Sequence, residues 1–351
     1  MLFILSLFRF SVTKQTMKEY IYQVKDHSIL LPAFKKFFLL PLSSSISLRI
    51  PANIITIISN GFFYATIGVS SALEQLPTLR FACLAILIFI YLTGDHLDGL
   101  QAKRTGTSSP LGEFIDHYLD SYINVIYLLV MFSVFGINNL YLLSFTLFVS
   151  YSAHASVFYE QFRTGWIVFE KLGPFEAFSL IIILFLICCI PGVSAFMQSP
   201  LMFGLSVAEV MLLTMCIATF YTLAKARLRT GKSGFGLYIF IFLLALVTFA
   251  CLSLPFSAAL RPWIIALYSI HYVGMLIKSR LIDDNYRMSD LIVPAFLLFC
   301  LLFPSIDLVR TDLIVFVYLA ARCLVSAIHT LFLLRGHWAW VNPTGNSLSS
   351  N

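Results

Sequence analysis

Long apolar runs separated by short polar turns dominate this chain. A helix that crosses a bilayer needs about 20 predominantly apolar residues. On that scale the hydropathy pattern predicts about ten spans, at residues 51–72, 78–97, 113–135, 139–158, 174–197, 203–224, 236–258, 262–278, 290–309 and 312–334. The segments between them are too short to hold a soluble core. The expected architecture is therefore an all-α polytopic membrane protein, a bundle of about ten transmembrane helices with short turns between antiparallel neighbours. Ahead of the first span, ILLPAFKKFFLLPLSS sets Phe34, Phe37, Phe38 and Leu39 beside Lys35 and Lys36. That mix suits an amphipathic helix lying in the interface plane, and it suits a juxtamembrane linker equally well.

Composition supports the bilayer as solvent. Of the 351 residues 59% are hydrophobic and 11% charged, with mean hydropathy +0.89, whereas soluble domains carry about 45–50% apolar and about 25% charged residues. The net charge of +6 is spread thinly, without a basic block of the kind that binds nucleic acid. It serves orientation instead. With the N-terminus cytoplasmic, about nineteen Lys and Arg collect on that side, against about three outside: Arg80, Arg261 and Arg310. The seven cysteines, Cys83, Cys188, Cys189, Cys216, Cys251, Cys300 and Cys323, sit inside apolar runs without metal-like spacing, so they predict neither a disulfide framework nor a zinc site. The opening MLFILSLFRF is too short to span and no small-residue cleavage site follows it. The expected organisation is a cytoplasmic N-terminal segment with the interfacial helix (1–50), a helical core carrying the chemistry (51–224), C-terminal transmembrane helices (225–335) and a cytoplasmic tail (336–351), polar and disordered.

The chemistry is concentrated in GDHLDGLQAKRTGTSSPLGEFIDHYLD, residues 94–120. Asp95 and Asp98 stand three apart at the end of the second span, and Asp116 and Asp120 four apart near the start of the third. Each spacing puts a pair on one helix face, and the turn between them brings the pairs together. One aspartate at a span end commonly only caps the helix. Four in two helix-spaced pairs, with glycines between, point to function, because charge at membrane depth is costly. Carboxylates are hard ligands suited to Mg²⁺ or Mn²⁺, and a cluster this rich has room for two ions clamping a phosphoryl group. Gly99, Ala102 and Gly112 allow a ligand close to the backbone, while Lys103 and Arg104 meet its negative charge.

This stretch resembles the signature of the CDP-alcohol phosphotransferases (class I CDP-alcohol phosphatidyltransferases), D-x2-D-G-x2-A-R-x8-G-x3-D-x3-D. Asp95, Asp98, Gly99, Ala102, Gly112, Asp116 and Asp120 fall in register with it. Lys103 stands where the family has arginine, keeping the charge but losing the planar fork. DGLQAKRTGTSSPLGEFIDHYLDS is closest to the choline and ethanolamine phosphotransferases, as are PANIIT, with Asn53 and Thr56, and TGWIVFEKLGPFE, with Glu176.

The resemblance implies a transferase of phospholipid biosynthesis. It would move phosphocholine or phosphoethanolamine from a CDP-alcohol to diacylglycerol and release CMP. By similarity, Asp95, Asp98, Asp116 and Asp120 hold two Mg²⁺ or Mn²⁺ ions, and Asn53, Gly99, Ala102, Lys103, Arg104 and Gly112 line the nucleotide site. The general base is Asp120 in the family at large. His117, an imidazole that titrates near neutral pH, is its rival here, oriented by Glu176. Glu176 reads equally as a first-turn acid favoured by the helix dipole. A homodimer is expected by resemblance alone. The expected location is a multi-pass protein of the endoplasmic reticulum or bacterial inner membrane, with its site facing the cytoplasm. Two other readings compete. One has CDP-diacylglycerol donating to a small alcohol. The other is a non-catalytic lipid-binding or cation-transport protein, disfavoured because the acids sit at one edge without paired broken spans. His154, Glu209, His271, Arg322 and His329 are expected mainly to bond between helices.

Overall fold

The computed structural model describes residues 20, 22–231, 234–283, 285–286, 288–303 and 310–337. The opening MLFILSLFRF and most of the polar tail lie outside the described residues. Among the described residues, seven helices are long and apolar enough to cross a membrane: α3 (Ala52–Ala72), α4 (Pro77–Thr105), α5 (Pro110–Val134), α6 (Leu140–Thr164), α9 (Val207–Thr230), α10 (Phe235–Ser253) and α13 (Thr311–Leu334). The segment before them forms β1 (Gln23–Asp26), α1 (Leu31–Phe34), a π-helical turn (Lys35–Leu39) and α2 (Leu40–Ser45). Three further expected spans fall on helices outside the set of seven: α7 (Pro174–Cys188), α11 (Arg261–Lys278) and α12 (Ile292–Leu302).

Local chemistry explains where the helices stop. Pro191 and Gly192 break the expected 174–197 span, because proline cannot continue a helix and Gly192 takes φ +87. The short α8 (Val193–Gln198) follows, then an antiparallel hairpin of β3 (Pro200–Met202) and β4 (Leu205–Ser206). α10 ends ahead of Pro255, which holds Leu254 extended at φ −85, ψ 155.

Helix α4 decides the position of the site. The expected span ends at residue 97, but the helix runs unbroken for 29 residues to Thr105. At 1.5 Å per residue that is about 44 Å, longer than the roughly 30 Å hydrocarbon layer. Its last turns therefore reach past the apolar zone. Gly106, at φ +67, ends it in the left-handed conformation that glycine adopts at least cost. After a four-residue connection α5 begins, with Pro110 in its first turn and the Ser109 hydroxyl accepting the Gly112 N–H at 3.1 Å.

Helix α3 lies close along α4. A Cβ at Gly94 would collide with the Cβ of Ser59, so the approach depends on that glycine. α11 is buried over most of its length and packs against α5, α6 and α13. Its Tyr272 stacks on Phe240 of α10 at 4.1 Å between ring centroids.

The N-terminal segment is fastened at two places. β1 pairs in parallel with β2 (Trp166–Phe169), Gln23 opposite Trp166 and Asp26 opposite Phe169. Beyond it, the Glu176 carboxylate accepts Ile29 N–H at 2.8 Å, Leu30 N–H at 3.1 Å and the Ser28 hydroxyl at 3.0 Å. It also accepts Gly173 N–H at 3.1 Å, closing the start of α7.

Two predictions follow from these contacts. Gly94→Ala should lower the melting temperature of the purified protein, by a destabilisation of about 1–3 kcal/mol from overpacking, and adding Ser59→Gly should restore it. Unchanged melting in Gly94→Ala would show that the α3–α4 approach tolerates a methyl group. Glu176→Ala should speed hydrogen exchange at the Ile29 and Leu30 amides by about tenfold or more, since bonds to a charged acceptor are lost. Equal exchange in both proteins would detach that segment from Glu176.

Candidate active site

The two aspartate pairs flank the four-residue connection, on the last turns of α4 and the first turns of α5. Asp98 is buried and accepts a hydrogen bond from the Thr56 hydroxyl of α3. Asp95 is half-buried beside its neighbour, His96 Nδ1 lying 3.0 Å from its carboxylate. Tyr91, also on α4, donates its phenol to Asp120 at 3.2 Å. The fit of α3 against the connection involves Gly112 directly. A Cβ there would lie 2.9 Å from Asn53 Oδ1 and 3.4 Å from Ser109 Oγ, so Asn53 sits over bare backbone.

Asp116, His117 and Asp120 offer ligand atoms within 4.8 Å of one another. Asp116 Oδ1 is buried and lacks a hydrogen-bond partner among the described residues. A buried, orphaned carboxylate oxygen among like charges is costly unless a cation or proton meets it. The oxygen donors suit a hard divalent ion, so the residues fit the metal the signature implies. Asp95 and Asp98 stand outside that tight group, engaged with His96 and Thr56.

His117 is buried. Its Nε2 lies 3.4 Å from the Tyr22 phenol and 4.0 Å from Glu113, its Nδ1 lies 3.7 Å from Asp116, and its ring meets Phe158 edge-on at 5.2 Å. The structure does not bring Glu176 to it; that carboxylate is occupied with residues 28–30 and Gly173. On the nucleotide side, Gly99 is open, with nothing within 4 Å of where a Cβ would stand. Ala102 is half-buried and Lys103 exposed. Arg104, also exposed, turns back to the Ser43 carbonyl and, at 3.1 Å, to Gln101 Oε1. Gln101 Nε2 in turn donates to the Ser47 and Ile50 carbonyls at 3.0 and 2.8 Å.

Sequence reasoning missed Glu113, Gln161, Arg280, Tyr20 and Tyr22. Glu113 stands four residues before His117, a helical spacing that signalled it. Arg280 comes from 167 residues away and gave no local signal. Burial and the neighbouring Glu113 carboxylate push the Tyr20 phenol up, keeping it a donor. Of the other intramembrane polar residues, Glu209, Arg322 and His329 find partners outside this cluster, while His154 Nε2 lies 3.1 Å from Ser121 Oγ, one turn from His117. Glu209 closes a capping box with Ser206, Arg322 lies 3.6 Å from Asp290, and His329 lies 2.9 Å from Lys278. His271 is buried in α11, its Nδ1 without a hydrogen-bond partner among the described residues.

Residues 49–219 match the family model for CDP-alcohol phosphatidyltransferase. An uncharacterized CDP-alcohol phosphatidyltransferase class-I family protein of Schizosaccharomyces pombe is 30% identical over 200 residues, covering 52% of this chain and 50% of the relative. Cholinephosphotransferase 1 of Saccharomyces cerevisiae is 28% identical over 189 residues, 50% of this chain and 46% of its own. Ethanolaminephosphotransferase 1 of Homo sapiens is 30% identical over 135 residues, 37% and 34% respectively. The chain thus matches half or less of the length of these relatives. The segment that bears both aspartate pairs, residues 49–219, matches the CDP-alcohol phosphatidyltransferase domain.

Proposed function

We propose that the chain is a phosphotransferase that moves phosphocholine or phosphoethanolamine from a CDP-alcohol to diacylglycerol, releasing CMP. The observation that carries this reading is the grouping of Asp116, His117 and Asp120, with Asn53 over Gly112, inside the matched domain. Relatives named for choline and ethanolamine phosphotransfer support the choice of donor.

In this reading Asp95, Asp98, Asp116 and Asp120 hold two Mg²⁺ or Mn²⁺ ions, which would neutralise the diphosphate and the charge on the leaving phosphate. Asn53, Gly99, Ala102, Lys103, Arg104 and Gly112 bind the nucleotide. The open backbone at Gly99 lets it approach, and the adjacent cations meet its phosphates. The acceptor hydroxyl attacks the phosphorus that carries the head-group alcohol. The phosphoanhydride bond breaks, CMP leaves with the bridging oxygen, and the hydroxyl proton passes to His117. Asp120 is the alternative base. Glu176 acts on the site indirectly, by holding residues 28–30 against the start of α7.

The reading extends to topology. The chain crosses the membrane ten times, α7, α11 and α12 completing the seven long helices, and the lysine–arginine asymmetry puts the site at the cytoplasmic edge. Endoplasmic reticulum and bacterial inner membrane both satisfy that orientation, and a homodimer is the proposed assembly. The segment at 31–45 lies in the interface. Phe37, 74% exposed, stands beside Lys35 and Lys36, while Phe34 packs on Phe89 and Phe175. Residues 51–224 form the catalytic core and 225–335 the C-terminal helices, with 1–50 and 336–351 cytoplasmic.

Reconstituted protein with Mn²⁺ should release CMP from CDP-choline or CDP-ethanolamine plus diacylglycerol, and a chelator should abolish it. Release only from CDP-diacylglycerol with small alcohols would overturn the donor and acceptor. Asp98→Asn should reduce turnover by more than about a hundredfold without loss of insertion, since a charged ligand is removed. Wild-type turnover in that variant would sink the metal assignment. His117→Ala should lower kcat; an effect confined to KM would exclude it as base.

A further inference from the structure

Glu113 differs from the other carboxylates at this end of the bundle because both of its oxygens are taken. Its side chain is 2% exposed. Oε1 accepts Gln161 Nε2 of α6 at 2.9 Å and lies 3.1 Å from Arg280 Nη1. Oε2 accepts the Tyr20 phenol at 2.9 Å and both terminal nitrogens of Arg280 at 3.2 and 3.3 Å. A guanidinium fork on a carboxylate fixes orientation as well as charge. So engaged, Glu113 has no oxygen to spare for a cation. Its neighbour is His117, one helical turn on, with Oε1 4.0 Å from Nε2.

Arg280 arrives by an unusual route. α11 continues into a π-helical turn, Ser279–Asp283, and such turns often mark functional positions. The turn lies beyond residue 219, where the family match ends. Within it Arg280 is largely covered, 11% exposed, and packs over the start of α5. Lys278, two residues earlier, contacts His329. Released from Arg280, Glu113 would be a buried unpaired charge beside His117, and the lowest-cost relief would be to move toward the imidazole.

We propose that Arg280, acting through Glu113, is a positioning residue for His117, so that the C-terminal helices complete the catalytic end of the 49–219 domain. The inference rests on the phosphotransferase reading above. Arg280 touches no reacting atom; it holds the carboxylate that walls one side of the imidazole, while Phe158 and Tyr22 wall the others. The same carboxylate receives Tyr20, so the N-terminal segment and the C-terminal half meet at one side chain.

The test is kinetic, in the full-length reconstituted protein with a CDP-alcohol, diacylglycerol and Mn²⁺. Arg280→Ala alone leaves Glu113 buried and unpaired, which threatens folding. The paired variant Glu113→Gln with Arg280→Met removes both charges and avoids that penalty. It should insert and melt like the wild type, keep KM for the CDP-alcohol within about twofold, and lose kcat by on the order of 10- to 100-fold, as for other residues that orient a site from behind. Arg280→Lys, which keeps the charge but not the fork, should fall between. Wild-type kcat in the folded paired variant would reduce the pair to a structural strut and overturn the proposal. A raised KM with kcat intact would overturn it equally, assigning the pair to substrate binding. A silent wild type would instead defeat the phosphotransferase reading, and this inference with it.

Discussion

Mutual repulsion among carboxylates gathered at one edge of a membrane helix pair is the constraint on which the rest of the structure turns. At separations of a few ångströms, like charges cannot all stay ionised without a cation or a dense set of donors. The fold supplies donors selectively. Thr56 serves Asp98, Tyr91 serves Asp120, and Arg280 with Gln161 and Tyr20 serves Glu113. Among the described residues, Asp116 Oδ1 is left without one. That uneven distribution sets Glu113, both of whose oxygens are taken, apart from Asp116, whose Oδ1 is open to a cation.

Holding the cluster together needs long, close helices. α4 must outrun the hydrocarbon layer to carry Asp95 through Arg104 on one continuous helix. Gly94 brings α3 near enough for Thr56 to reach Asp98 and for Asn53 to sit over Gly112. Gly106 and Ser109 then reverse the chain in four residues, so that α5 presents Asp116 and Asp120. Each device is local, and each fixes where a carboxylate points.

Much of this was legible from sequence because its determinants are local. The helix-spaced aspartates, Gly112, Asn53 and the family signature lie in short segments whose periodicity can be read directly. The span pattern located every long helix, but it stopped short at the polar ends of α4, α6 and α9, where the helices run six to eight residues further and hydropathy could not distinguish helix from loop. What escaped reading came from distance. Nothing near Arg280 or Tyr20 announces Glu113, and nothing near residues 28–30 announces Glu176. The expected orienting role of Glu176 toward His117 met a different geometry for that reason: its backbone partners became visible only once the N-terminal segment was placed.

The central claim is that the α4–α5 carboxylates hold divalent cations. Manganese binding read directly, by electron paramagnetic resonance titration of the purified protein in lipid, tests it without reliance on turnover. Saturable Mn²⁺ binding that Asp116→Asn weakens strongly and that excess Mg²⁺ displaces is the expected result. Equal binding by the wild type and Asp116→Asn, or none by a folded wild type, would contradict it.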